Sequence, residues 1–187
     1  KVAQMSSVKG CTMVGGSQGQ WEVLSQRTIT GQGLAEVSHL HIAGLEETTN
    51  MLGQWKLKGF ISNVRYVEKI ERVELVSRQE GLGRSAATYG ALLPIKKTQA
   101  WWDLSQDERR EIFEDQSKHI QANMKYLPAI ARQLYHSRDI GEEFDFLTWF
   151  EFRPDDVNLF DEMINAFRET VEWQFVQREV DIRLRKS

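Results

Sequence analysis

The stretch "FDFLTWFEFRPDDVNLFDEMINAFRETVEWQFVQREVDIRL" (Phe144–Leu184) decides the fold class, because it places one helical pattern between two strand patterns. Phe144–Phe152 is an aromatic-rich run of strand formers, dense enough in apolar side chains to be buried on both faces in places. "RPDD" then turns the chain. Val157, Phe160, Ile164, Phe167 and Val171 recur at three- and four-residue spacing and make one apolar stripe of a helix. Trp173–Arg185 closes as a strand, with Val180, Ile182 and Leu184 alternating against charged residues. A helix folded back between strands of this kind belongs to the α+β class.

Towards the N-terminus, Ser105 and Glu108 form a capping box, and Asp107 adds negative charge at the positive end of the helix. That helix continues through Ile112, Phe113, Gln116, His119, Ile120 and Asn123 on one face. Leu127 precedes Pro128 and is pushed out of the α region. Pro128 suits the first turn of a second helix, which would carry Arg132. "ALLPI" (Ala91–Ile95) reads as a short buried strand in which Pro94 argues for an edge or a bulge. Residues 91–187 are therefore expected to run β-α-α-β-α-β, and residues 13–90 to form a sheet-rich partner, with the boundary near "LLPIKKTQAWW". Strands are expected there at Trp21–Ile29, in "EVSHLHIA" (Glu36–Ala43) and at Trp55–Val67, while Glu68–Gln79 fits helix and strand alike. Two α+β sheets packed face to face or rolled into a barrel fit this order.

The 187 residues are 41% hydrophobic and 27% charged, an ordinary balance for a globular domain large enough to hold a cavity. A formal net charge of −3 gives no reason to expect nucleic acid or an anionic membrane as a partner. Cys11, the single cysteine, excludes internal disulfides and a cysteine zinc cluster. "KVAQMSSVKG" has no apolar run of the secretory kind, and no stretch approaches the ~20 apolar residues of a membrane span. The expectation is a cytoplasmic protein whose first twelve residues are disordered or foreign to a native start at Met5.

Few side chains suggest chemistry. Gly81–Ala86 matches G-x-G-x-x-A, but it leads into a strand instead of a helix, so a turn is expected. His39 and His41 share one side of a strand without a third ligand, which favours surface positions. His136, in "YHSRD", is expected to be exposed, and no nucleophile elbow anchors a serine triad. His119 lies on the apolar face of its helix. It is either a core histidine with both ring nitrogens satisfied or a ligand, and one axial histidine is all that haem iron requires on its proximal side. Arg132 would be costly to bury without an anionic partner, which a cavity that takes anions would supply. Spacing alone leaves both readings open.

"KKTQAWWDLSQDERREIFEDQSKHI", "LPAIARQLYHSRDIGEEFDFLTWFEF" and "EWQFVQREVDIRL" strongly resemble the chlorite dismutases, specifically their short, dimeric lineage, and the likeness extends from "GGSQGQWEVLS" onward. The resemblance implies two ferredoxin-like halves forming a dimeric α+β barrel. It also implies a homodimer with one haem b per subunit, held in the C-terminal half, and chlorite as the small anionic substrate. By motif, His119 matches the proximal iron ligand and Glu172 the carboxylate that accepts its hydrogen bond. Arg132 matches the distal arginine, and Gln79 a residue that holds it inward. Lys97, Trp101 and Trp102 match the haem-contacting stretch, and Leu127 is a candidate wall of the pocket. The implied reaction is heterolysis of a Cl–O bond followed by rebound of hypochlorite, giving chloride and dioxygen. A permanent cation suits it, because Arg132 can attract and orient the anion without acting as a general acid. Coproheme decarboxylases share the fold and proximal histidine, but they are longer and carry glutamine at the arginine's position. The G-x-x-D-G motif of dye-decolourising peroxidases is absent, and a haem carrier or sensor of the same fold is the non-enzymatic alternative.

Overall fold

The structure, a computed structural model, describes residues 10–45, 50–61, 81–122 and 129–187, except for the side chains of 116–122. Its strands are β1 (Gly10–Gly16), β2 (Trp21–Thr30), β3 (His39–Gly44), β4 (Trp55–Phe60), β5 (Tyr89–Lys97), β6 (Ala131–His136), β7 (Phe146–Phe152) and β8 (Val176–Lys186). The helices are α1 (Gln99–Asp103), α2 (Gln106–Ala122) and α3 (Val157–Arg168), with 3-10 turns at Arg138–Ile140, Pro154–Asp156 and Glu172–Phe175. The strands pair antiparallel and close into a barrel in the order β1-β3-β2-β8-β5-β7-β6-β4. Each half has the same internal order, its fourth strand beside its first, then its third and second. The halves meet where β2 pairs with β8 and β4 with β6.

Alternation fills the barrel. Val180, Ile182 and Leu184 of β8 point inward and are fully buried, together with Met13, Leu40, Leu92 and Leu147. At the centre the Trp21 and Trp149 rings meet edge to face, 4.9 Å between centroids. The outer face of β5 and β7 forms a second core, where Ala91, Leu93, Phe150 and Phe152 pack under Phe160, Met163 and Ile164 of α3. The apolar stripe read for this helix is thus the face it buries, though Val171 lies beyond its end and is exposed. The capping box also forms. The Glu108 N–H donates to the Ser105 hydroxyl at 3.1 Å, and the Ser105 N–H donates to the Glu108 carboxylate at 2.8 Å.

The connection from β1 to β2 has no helix. These strands run parallel on either side of β3, a topology that ordinarily takes a dozen or more residues to connect, yet only Ser17–Gln20 separate them. The short passage crosses close over β3 at Gly19, where a Cβ would lie 2.1 Å from the Leu40 carbonyl oxygen.

Four expectations are corrected. Arg132 lies on a strand, not a helix: Ala131 and Tyr135 face the barrel interior, and Arg132, Leu134 and His136 face outward. The second half therefore runs β-α-α-β-β-α-β. Pro94 is neither at an edge, since a closed barrel has none, nor at a bulge. It sits mid-strand in β5, in register with Leu147 of β7, and the irregularity falls between Lys96 and Lys97. β1 begins at Gly10, and Cys11 and Thr12 are buried in the barrel wall, so the first twelve residues are not all tail. His136 is half-buried between the rings of Phe60 and Phe146, not exposed. Residues 62–80, with the far end of the expected third strand and the ambiguous Glu68–Gln79, lie outside the described residues. β5 starts at Tyr89, two residues ahead of the expected boundary.

Candidate active site

The registers of β5, β7 and β6 set three rows on the outer face of the sheet: Ala91–Phe150–Arg132, Leu93–Thr148–Leu134 and Ile95–Phe146–His136. α3 seals one part of this floor, with Phe160 at 4.5 Å from the Phe152 ring and 5.0 Å from Phe150. Elsewhere α1 reaches it, and the Trp102 ring stacks on Phe146 at 6.2 Å. Between them Leu134 keeps 39% of its surface exposed, Thr148 is half-buried and Arg132 is open. The result is a largely apolar floor with a guanidinium at one end.

Arg132 is reached by solvent yet surrounded by enough protein to be desolvated. Burial lowers its pKa, and the negative charge of Glu172 acts in the opposite direction. Arginine remains a cation under such conditions, so this end of the floor attracts small anions and offers no exchangeable acid.

Lys97, Trp101 and Glu172 come together from three elements. The Lys97 ammonium donates to Glu172 Oε1 at 2.6 Å and sits 3.9 Å above the Trp101 ring. The pair is secluded, with 3% of the lysine side chain and 12% of the glutamate side chain exposed. Burial pulls the Lys97 pKa down, and Glu172 and Asp145 oppose it. The Lys97 backbone N–H donates to Asp145 Oδ2 at 2.7 Å, so the same residue is tied at both ends. Among the described residues, Glu172 Oε2 accepts no hydrogen bond. Trp101 also packs edge-on to Phe113 of α2 at 5.4 Å and against Phe175 at 5.5 Å, joining the 3-10 turn of Glu172 to the helix that carries His119.

Trp102 faces away from this group. Its ring lies between Phe146 and the Arg138 guanidinium, which is 3.7 Å from the ring centroid. His119 falls on α2 with its side chain outside the described residues, and Gln79 and Leu127 lie outside them altogether. His39 and His41 are half-exposed on β3, and no cluster of three metal-ligating side chains occurs among the described residues. Gly81–Ala86 is a turn, with Gly83 at φ +86°. The floor residues Leu134, Thr148 and Phe146 and the ring partner Arg138 escaped the sequence reading. Nothing local marks them, since "ARQLYH" mixes apolar and polar residues on both of its faces.

The family model described as chlorite dismutase matches residues 37–185. The chain belongs to the chlorite dismutase family. It is similar to the dimeric chlorite dismutase of Nitrobacter winogradskyi at 51% identity and a TM-score of 0.88, covering 95% of this chain and 99% of that one. It shares the fold of the Candidatus Nitrospira defluvii chlorite dismutase at 24% identity and a TM-score of 0.57, over 78% of this chain and 56% of that one. A segment of 102 residues, 51% of the chain, is 28% identical to a chlorite dismutase of Ideonella dechloratans, and it spans 33% of that protein's length. Within the chlorite dismutase match fall the whole floor, the Lys97–Glu172 pair and Arg132.

Proposed function

We propose that this chain is a haem b-dependent enzyme converting chlorite to chloride and dioxygen. It would act as a homodimer with one haem per subunit in the C-terminal half, on a barrel of two ferredoxin-like repeats. The observation that carries this reading is Arg132: a permanent cation, open to solvent, in register with Phe150 at the end of an apolar floor. The near-complete likeness to a structure described as dimeric supports both activity and assembly. The shared order of strands in the two halves supports the repeat.

The residues present fit haem b. An apolar floor open at Leu134 and Thr148 suits a flat macrocycle, and Glu172 has an oxygen to offer the N–H of an axial imidazole. His119 on α2 would hold the iron. Glu172, fixed through Oε1 by Lys97, would accept from His119 and so set its tautomer and donor strength. Trp101 and Trp102 would border the macrocycle, with Leu127 and Leu134 as apolar wall. Bound haem b supplies a redox-active iron able to cleave a Cl–O bond and return the oxygen to chlorine's product. Arg132 would draw chlorite in, orient it and retain anionic hypochlorite by charge, and the role proposed for Gln79 is to hold that guanidinium towards the haem. Neither residue provides a proton, as this chemistry consumes none.

Adding chlorite to the haem-loaded protein in an oxygen electrode tests the reading. Equimolar chloride and dioxygen are expected. Haem uptake without oxygen release would leave a carrier or sensor, and decarboxylation of added coproheme would move the chain to the related branch.

A further inference from the structure

We propose that Trp173, Glu179 and Arg168 are positioning residues that hold the Glu172 carboxylate in its working orientation. The inference rests on the proposed contact between Glu172 and His119. Glu172 begins a four-residue 3-10 turn that has no side-chain cap of its own. Its neighbour Trp173 donates its indole N–H to Glu179 Oε1 at 2.8 Å. The other oxygen, Oε2, is gripped by Arg168, whose Nε and Nη2 lie at 3.1 and 2.8 Å. Arg168 also reaches Asp181 at 2.9 Å, and Arg183 holds Asp181 from the other side at 2.6 Å.

Glu179 and Asp181 are wholly buried on the outer face of the sheet that also carries the floor, on the β8 side of β5. Buried ion pairs add little net stability, because desolvation offsets the attraction. What such a network does provide is a fixed geometry, since both carboxylates accept directional bonds on both of their oxygens. Here the geometry bears on one turn. Glu179 sits opposite Ile95 in the β5–β8 ladder, two residues from Lys97. The indole bond therefore references the turn to the same ladder that carries the other half of the Lys97–Glu172 pair. At the far end of the turn, the Phe175 carbonyl accepts from the Thr98 N–H at 2.7 Å. Glu172 is thus held between two anchors, one to β8 and one just past β5.

The test compares haem-loaded wild type, Trp173→Phe and Glu172→Gln by reduction potential, iron–imidazole stretching frequency, haem dissociation and unfolding midpoint. Glu172→Gln weakens the imidazole as a donor, so the potential rises, the stretching frequency falls and haem leaves roughly tenfold faster. Trp173→Phe keeps the ring and deletes only the donor. It moves potential and frequency in the same direction by less, with haem loss about threefold faster. A lower unfolding midpoint with both spectroscopic and redox readouts unmoved would make the network merely structural and overturn the proposal. If Glu172→Gln itself moves neither, the carboxylate–imidazole contact fails first, and the positioning role fails with it. Should Trp173→Phe not retain haem, Arg168→Lys serves instead: it loses the fork on Oε2 and is expected to shift both readouts in the same direction.

Discussion

Lys97→Met isolates the ion pair beneath the site, because it deletes the ammonium while keeping most of the buried stem. The charges are 2.6 Å apart. At an effective dielectric of about 20 their attraction is roughly 6 kcal/mol, much of it offset by desolvating both groups. Removing one member leaves the other's charge uncompensated, which costs about 3–5 kcal/mol in secluded pairs, and the lost contact with Trp101 adds to it. Lys97→Met should therefore destabilise by about 4 kcal/mol. Glu172→Gln leaves an amide oxygen for the lysine and should cost about 2 kcal/mol. The double variant strands no charge and should lose only about 3 kcal/mol, so the coupling in the cycle is about 3 kcal/mol. Urea unfolding of the four haem-free proteins at neutral pH measures it. Additivity within about 0.5 kcal/mol would refute the reasoning, since the two groups would then not be sensing one another. The sign of the alkaline limb gives a second check. Lys97 has a folded pKa below its ordinary 10.5, so the unfolded chain binds more protons between those values and stability rises with pH there. Lys97→Met should lack that rise.

Arg132→Ala should retain haem but lose turnover, and trap-detected hypochlorite should increase as the enzyme bleaches itself; unchanged turnover and trapping would remove its proposed role. Cys11 is buried beside Tyr135 and its thiol is pushed from 9.0 to about 11. It stays largely protonated in the folded protein while the unfolded chain ionises, so wild type should lose about 2 kcal/mol relative to Cys11→Ala as pH rises from 9 to 11. A constant difference in denaturant titrations would contradict this. Gly19→Ala should cost about 2–3 kcal/mol in thermal melts, because its Cβ would meet the Leu40 backbone, which cannot turn aside. Ser105→Ala removes one arm of the capping box and should cost about 1 kcal/mol, with fraying visible in amide exchange at Asp107 and Glu108.

What could be read along the chain was whatever repeats along the chain. β8 and α3 were legible because their apolar side chains recur at one period, and α2 because its cap is a local bond between residues three apart. β6 was misread because Pro128 suits the first turn of a helix, while its true inward residues, Ala131, Gln133 and Tyr135, look unremarkable singly. That error bears on the site. A helix turns each residue by 100°, which would point Arg132 and Leu134 about 200° apart, whereas a strand puts them on one face. Nor does any local pattern reveal which strands adjoin. Arg132 meets the apolar floor only because β6 pairs with β7 in one register, and a shift of one residue would turn its guanidinium into the barrel among Trp149 and Leu147. On that inner face the buried Glu151 carboxylate already accepts from the Trp149 indole and the Gly83 N–H, so the packing of Tyr135 and Ala131 against the core is also what keeps the cation on the outer side, where a small anion can reach it.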